Sequence, residues 1–329
     1  LQGLPKQTLQ KEYVRLLAWF GKKQRAEGLV GLSINDQRIA LAHITRKRDD
    51  VFLENCIRRE VNDTATRRQQ LSEVVAEAGL TGADCSCVLG SRDYNIYLVE
   101  APQVEPDEVS AAVRWKIKDL LDMPVDDAVV DVFSVPDEAF QGRKKMVYAV
   151  AAARSAVEQL IEMVDRAGLS LATIDIPELV MRNISSQFVD DRNGLAFISL
   201  KESGSTMNIS RGGQLYLTRR INTKVGPDAL LEDDWEMIRD RLVLEIQRSL
   251  DYFESQMGQN PVNQVMIAPR KKDTESMMNS LGEALATPIG VLDYTYELAS
   301  PETITAETKG SCMMAIGAAL RVDAAGEER

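Results

Sequence analysis

Apolar and polar residues alternate on two arms between Gly28 and Ile44, with Leu32 and Ile34 on the first arm and Ile39 and Leu41 on the second. Asn35-Asp36 sits between the arms, so the stretch predicts a β-hairpin. A third strand is expected over 51–61. From 64 to 80 the period changes: Leu71, Val74, Val75 and Ala78 fall at helical spacing, and Gly79 marks the stop. Two strands follow within 85–100. A helix over 104–124 opens after Pro106 and closes before Pro124. Strands at 129–135 and 146–153, a helix at 155–169, a strand at 171–177 and a helix reaching Phe188 complete the first half.

The second half repeats the opening. Residues 194–221 read as three strands joined by two turns, Glu202-Ser203-Gly204 and Arg211-Gly212-Gly213. A long amphipathic helix over 235–257 follows, then a strand at 262–268, a helix at 273–286, a strand at 289–294 and a small-residue helix at 312–321. Residues 323–329 read as a frayed tail. Both 28–61 and 194–221 carry strand, polar turn, strand, turn, strand, followed by helix-forming sequence. Such a repeat predicts an α/β protein of two lobes with a cleft between them, where ligands usually bind.

Composition narrows the chemistry. The chain has 329 residues, 44% of them hydrophobic, and a formal net charge of −11. An acidic balance argues against nucleic acid as the main partner, because neutralising phosphates needs a basic surface. His43 is the single histidine and has no serine or cysteine nucleophile nearby, which removes triad chemistry and histidine metal sites. Cys56, Cys85, Cys87 and Cys312 lack metal-ligand spacing and read as reduced, buried thiols. No catalytic residue and no metal site is assigned. No apolar run approaches the ~20 residues that span a bilayer. The stretch KEYVRLLAWFGKKQR places Trp19 and Phe20 beside Lys22, Lys23 and Arg25. Residues 12–25 therefore read either as a peripheral anchor on anionic lipid or as a helix or leader of ordinary kind.

Three stretches carry a resemblance to a known family: TMNISRGGQLYLTRRI, with Thr218 and Arg219 near its end; LVLEIQRSLDYFESQ, with Glu245, Ile246, Arg248, Ser249 and Tyr252; and VRWKIKDLLDMPVDDAVVDVFSV, followed by an alanine-rich strand, DRAGL and DIPEL. In this order they resemble the PilM-type proteins of type IV pilus assembly, within the actin-like ATPase superfamily. The resemblance implies an actin-like, duplicated ribonuclease H-like fold with a subdomain inserted in the first lobe. It divides the chain into a leader (1–27), a first-lobe core (28–84 and 170–193), the insert (85–169), a second lobe (194–322) and the tail (323–329).

The resemblance also implies a nucleotide site that is degenerate here. The family's first phosphate loop carries an aspartate that helps hold Mg²⁺ and a turn beginning with glycine, which lets backbone N–H groups approach the phosphates. The aspartate position is Ser33 and the glycine position Asn35. Asp36, Gln37 and Arg38 occupy the small hydroxyl positions, and a lysine further along is Ala40. In the second loop the aspartate falls on Ser199 and the glycine on Lys201. Only Ser203, Gly204, Ser205 and Thr206 keep the hydroxyl-rich character. The adenine-side double glycine falls on Ala268 and Pro269, and proline removes a donor and fixes φ. Without the metal-side carboxylates the phosphate tail has little to position it, so hydrolysis is not expected and no cofactor is. The alternative is an active ATPase taking ATP and magnesium, with Asp36 on the metal and Lys201 and Arg38 on phosphate oxygens.

By the same resemblance the chain acts as a scaffold at the cytoplasmic face of the inner membrane. Its partner is the cytoplasmic tail of a single-span pilus protein of the PilN type, such as MshJ of the MSHA pilus, lying extended in a groove of the first lobe near the insert. Arg114, Trp115 and Lys118 are candidate contacts. Trp115 reads either as an interface anchor or as packing against the insert's own sheet, and Arg114 and Lys118 as a pair on one helix face. A third reading is the cytoplasmic domain of a type II secretion protein, disfavoured by the polar end of the chain.

Overall fold

The computed structural model describes residues 26–322 apart from 49, 62, 64–65, 141–144, 203 and 271. The stretch 12–25 with its membrane reading, and the tail from 323, lie outside the described residues. The opening hairpin and third strand form as their alternation demands: β1 (Leu29–Ile34), β2 (Arg38–Lys47) and β3 (Asp50–Glu60) make an antiparallel meander. Helix α1 (Arg67–Glu77) leads to β4 (Asp84–Val88), parallel to β1, and β8 (Ser170–Asp175) runs parallel to β4. The first sheet therefore has the order β3-β2-β1-β4-β8.

The second lobe copies this plan. β9 (Leu195–Ser199), β10 (Ser205–Arg211) and β11 (Gln214–Ile221) form the meander, and β12 (Gln264–Ile267) and β13 (Ile289–Val291) extend it in parallel. The resulting order, β11-β10-β9-β12-β13, matches the first sheet strand for strand. The long helix α5 (Trp235–Ser255) crosses from β11 toward β12 and buries Leu242, Ile246, Leu250 and Phe253. Glu232, Asp233 and Asp234 precede it, with Asp234 at the N-cap position, but the Asp234 side chain makes no capping hydrogen bond.

The insert is a three-stranded antiparallel sheet of order β5-β7-β6, from β5 (Tyr94–Glu100), β6 (Ala128–Ser134) and β7 (Met146–Ala153). Helix α2 (Val109–Lys116) covers one face through Val113 and Ile117. Two boundaries differ from expectation. The residue-85 boundary cuts β4, whose buried Cys85 and Cys87 belong to the first sheet, so the insert begins after β4. The boundary at 169 is shared as well: in helix α3 (Arg154–Arg166) Met163 and Val164 pack in the first-lobe cluster, while Val157 and Leu160 pack with Tyr94 and Ala152 of the insert. The single helix expected over 104–124 is instead a 3₁₀ turn at Pro106–Glu108, α2, and a second 3₁₀ turn at Lys118–Leu120.

Both ends of the second lobe are tied to the first. Helix α4 (Pro177–Phe188) leaves β8 and packs under β10 and β11. After short helices α6 (Thr274–Gly282), α7 (Tyr294–Glu297) and α8 (Ala306–Ser311), the final helix α9 (Met313–Ala319) returns to lie on β1, β2 and β4. The sequence reading placed α9 in the second lobe. Its contacts place it on the first, and Gly31 is the reason it fits. A Cβ at Gly31 would lie 1.8 Å from the Ala315 carbonyl oxygen and 2.6 Å from the Ala319 nitrogen. Only a residue without a side chain lets helix and strand backbones approach this closely. One apolar cluster accordingly joins both lobes: Ala42, Ile44 and Leu53 meet Phe197, Tyr294 and Ile316.

Candidate functional site

The β1–β2 and β9–β10 turns are equivalent elements of the two lobes, and the nucleotide reading rests on the chemistry of these two turns. Ser33 lies on β1 opposite Ala40, and Ser199, buried, ends β9 opposite Thr206. Neither hydroxyl supplies a metal-side charge. In the first turn the Asn35 N–H donates to the Arg38 carbonyl (2.9 Å), and the Gln37 N–H donates to Asn35 Oδ1 (2.9 Å). Asn35 thus closes the turn with its own side chain, in αR-compatible geometry: no residue of the turn has positive φ, so no glycine is required. The same bonds take up two backbone donors that an approaching phosphate would need. The Asp36 carboxylate pairs with Arg67 at 3.1 Å, and Arg38 lies 3.7 Å from Glu60.

The second turn is partly retained. Gly204 holds φ +115°, a conformation that glycine alone adopts freely, and its N–H donates to the Lys201 carbonyl (3.2 Å). The Lys201 N–H is turned inward to Ser205 Oγ (3.4 Å), which donates to the Thr223 carbonyl. The Lys201 residue is reached by solvent, yet crowding protein lowers its pKa; Glu178 opposes that shift and Arg38, from the other lobe, adds to it. Ser203 lies outside the described residues. On the adenine side Ala268 is buried and donates its N–H to the Ile198 carbonyl (2.8 Å), extending the sheet. Pro269 follows, and Arg270 sends its guanidinium to the Gly226 carbonyl (2.5 Å).

A buried polar network joins all three parts of the chain, and the sequence reading did not assign it. Glu178, at the second position of α4 behind Pro177, is 1% exposed. The Tyr94 hydroxyl, from the insert, donates to Glu178 Oε2, and Arg220 Nε, from β11, stands 3.5 Å from Oε1. The Arg220 guanidinium also lies over the Tyr94 ring, 4.6 Å from its centroid. Burial pushes the Tyr94 phenol up, and the Glu178 charge pushes it further. Burial opposes the Arg220 charge, but Tyr94 and Glu178 outweigh it, so its pKa is raised. The Glu178 carbonyl accepts from Asn208 Nδ2 (2.7 Å), and Asn208 Oδ1 accepts from the Thr218 hydroxyl (2.8 Å). Both carboxylate oxygens of Glu178 face protein partners, which suits a tie between subdomains rather than a base acting on water. The readable signal was Pro177-Glu178: proline at the first helical position followed by an acid in the first turn.

The insert is joined to the second lobe by a shared core as well. Val135, Ala139, Phe140 and Tyr148 pack in one cluster with Met207, Tyr216, Ile221 and Phe253. Tyr148 stacks on Phe133 (5.2 Å) and its hydroxyl accepts the Thr218 N–H (3.2 Å), while Tyr216 donates to Glu138 (2.7 Å). Residues of the first two quoted stretches make internal contacts too. Arg219 lies 4.8 Å over the Tyr252 ring, Ser249 bonds back to the Glu245 carbonyl and Arg248 pairs with Glu245 at 3.0 Å.

The candidate partner contacts fare unequally. Arg114 is engaged within the insert, donating to the Val125 carbonyl (2.8 Å) and Asp126 (3.2 Å). It does not share a helix face with Lys118, because α2 ends at Lys116 and Lys118 opens a 3₁₀ turn. Trp115 does not pack against the insert's sheet. It lies two positions from buried Val113, on the opposite face of α2, and is 59% exposed.

The fold defines the class: the chain has the actin-like ATPase fold, with its two like sheets and an inserted subdomain. Among solved structures it is similar to a PilM–PilN type IV pilus biogenesis complex, with 18% identity and a TM-score of 0.70 over 90% of this chain and 98% of that one. It is also similar to a Bacteroides thetaiotaomicron protein of actin-like ATPase fold and unknown function, at 10% identity, TM-score 0.49, covering 82% of this chain and 93% of that chain. A further match is the cytoplasmic domain of EpsL, an inner membrane component of the type II secretion system of Vibrio cholerae, at 10% identity, TM-score 0.47, covering 75% of this chain and 84% of that chain. No family model and no curated protein matches the sequence. No helix of the described residues is long and apolar enough to cross a membrane.

Proposed function

We propose that the chain is a scaffold of a type IV pilus assembly machine, working at the cytoplasmic face of the inner membrane and taking no nucleotide. The observation that carries this reading is the fold match to the PilM–PilN complex, which runs through 90% of the chain. The partner is the cytoplasmic tail of a single-span protein of the PilN type. On the sequence resemblance the system is MSHA-like, the chain being of the MshI kind and its partner MshJ. The exposed Trp115 on the outer face of α2 is an anchor of the sort that dominates interfaces. The closed Asn35 turn, the serines at both metal-side positions and the internally bonded adenine side support loss of ATP and Mg²⁺ binding. The core shared by insert and second lobe supports a body that does not open and close.

The test is a pair of titrations on the purified chain. A synthetic peptide of the MshJ cytoplasmic tail should bind, and Trp115→Ala should weaken it about tenfold or more. ATP with Mg²⁺ should give no heat up to millimolar concentration. Micromolar ATP binding would return the alternative, an ATPase-type switch, and absence of tail binding would remove the scaffold assignment.

A further inference from the structure

Among the described residues the outer side of β8 is an open edge of the first lobe's sheet. At the other end of the first sheet, β3 is covered: the Leu53 N–H donates to the Ala299 carbonyl (2.9 Å). In the second sheet the Thr218 N–H of β11 is taken by the Tyr148 hydroxyl, and the edge strand β13 is short, with only three residues. β8 has six residues, and no described strand or loop pairs with its outer side. Its first five residues are half-buried, in contrast to the buried interior of neighbouring β4. Such an edge presents unpaired N–H and C=O groups, which is a template for another strand.

Beside this edge runs a groove of about 480 Å³ between β8 and α3. Its wall is one helix face: Glu158, Ile161, Glu162 and Asp165 stand at i, i+3, i+4 and i+7. Leu169 and Leu171 form its apolar side. Glu162 is neutralised by Arg166 (2.5 Å) and Arg68 (3.5 Å). Glu158 and Asp165 are exposed and have no side-chain hydrogen bond or ion pair among the described residues. The groove thus combines an open strand edge, an exposed isoleucine and two uncompensated carboxylates.

We propose that the β8 edge and α3 form a docking site for an extended basic segment of a partner protein, which joins the first sheet as a sixth strand. The occupant follows from charge. A second copy pairing edge to edge would set its own carboxylates against these, and like charges across a strand pair repel. Nucleic acid and anionic lipid are repelled on the same ground. A segment alternating lysine or arginine with apolar residues satisfies each feature: backbone bonds to β8, apolar side chains on Leu169, Leu171 and Ile161, basic side chains on Glu158 and Asp165. This site is separate from the Trp115 face and stands whether or not that face takes a pilus protein.

The experiment uses the full chain and a fluorescent eight-residue peptide alternating valine and lysine, followed by anisotropy, with an alternating valine–glutamate peptide as control. The basic peptide should bind and the acidic one should not. Glu158→Lys with Asp165→Lys should weaken binding at least about tenfold, and Trp115→Ala should leave it unchanged. Amide exchange of Leu171 to Ile174 should slow on binding, which tests the added strand independently of the charge variant. Equal binding to the charge-reversed chain, unchanged exchange, or no binding up to millimolar peptide would overturn the proposal. A dimer in sedimentation that the charge reversal abolishes would give the edge to a second copy. Zero-length cross-links from Lys22 or Lys23 to Glu158 or Asp165 would give it to the chain's own N-terminal stretch, and either result would overturn the partner reading.

Discussion

Replacing Glu178 by alanine tests the clasp at the centre of the molecule. The carboxylate is almost completely buried and faces two groups from different subdomains, the Tyr94 hydroxyl and Arg220 at 3.5 Å. The gross attraction to Arg220 at that distance is about 5 kcal/mol for an effective dielectric near 20. Much of it is offset by desolvating the two ions, so the measurable quantity is what truncation leaves behind. Losing one member of a fully buried pair costs about 3–5 kcal/mol. Here the Arg220 side chain keeps 34% exposure, so water recovers part of that loss. The orphaned Tyr94 hydroxyl adds about 1–3 kcal/mol, because it is buried with its acceptor gone. A total of about 3 kcal/mol follows, or a fall in Tm of roughly 5 °C for a chain of this size. Glu178→Gln keeps an acceptor for Tyr94 and should lose about half as much. Thermal and urea unfolding of both variants, with an Arg220→Met cycle, separates the ionic coupling from simple packing loss. If Glu178→Ala unfolds within 1 °C of the parent, the clasp does not hold the three parts together and the reasoning fails.

Three further outcomes are expected. Gly31→Ala should destabilise the chain by about 3 kcal/mol or more in urea, since the new Cβ meets helix backbone at 1.8 Å and α9 has to move; a loss under about 1 kcal/mol would mean the helix is loosely seated. Stability should fall as pH rises above about 8.5. Burial pushes the Cys85 thiol up to about 12, with Asp84 adding to it, and burial pushes the Tyr148 phenol up to about 12 against the Thr218 N–H bond. The unfolded chain releases these protons at about 8.5 and 10. Each contribution is therefore complete below the unfolded pKa and is lost toward the folded one, at about 1.4 kcal/mol per pH unit per group. Urea midpoints at pH 7, 9 and 10.5 read the slope, which Cys85→Ala should flatten below pH 10. Trp115→Ala should leave stability within about 0.5 kcal/mol, because the indole stands on solvent; a larger loss would mean that it packs internally.

Element identity was largely legible because each element carries its own period. The doubled strand-turn-strand plan at 28–61 and 194–221 became two sheets of identical order, since each meander has only one way to bury its apolar side. What failed were membership and direction. Cys85 to Val88 reads as a short apolar strand with no mark of the sheet it joins, and α3 carries an amphipathic face that suits either neighbour. α9 was unreadable as a first-lobe helix because its fit depends on Gly31, nearly 300 residues earlier in the chain. Trp115 illustrates direction: an indole two positions from Val113 points away from the core that Val113 enters, which helical spacing alone determines once the helix is known to start at Val109. The Glu178 network needed the third dimension, since Tyr94, Glu178 and Arg220 come from three different subdomains.

On the proposed reading the missing glycine of the first turn is a change of role rather than a local accident. A phosphate loop has to leave several N–H groups unpaired and aimed outward, a costly arrangement that only a bound anion relieves. Here the Asn35 side chain and the Arg38 carbonyl accept two such donors, so they are satisfied within the protein. The same holds across the cleft, where Lys201 turns its N–H to Ser205 and Ala268 extends the sheet. On the proposed reading no nucleotide stabilises this fold, and its rigidity comes from elsewhere. The cluster joining the insert to the second lobe, the Glu178 clasp and the α9 seat on Gly31 supply it. The first two join parts of the chain that a nucleotide-driven switch would need free to part, and the third locks the C-terminal helix onto the first sheet. On that reading the body works through outer surfaces such as the exposed Trp115 and the β8 edge.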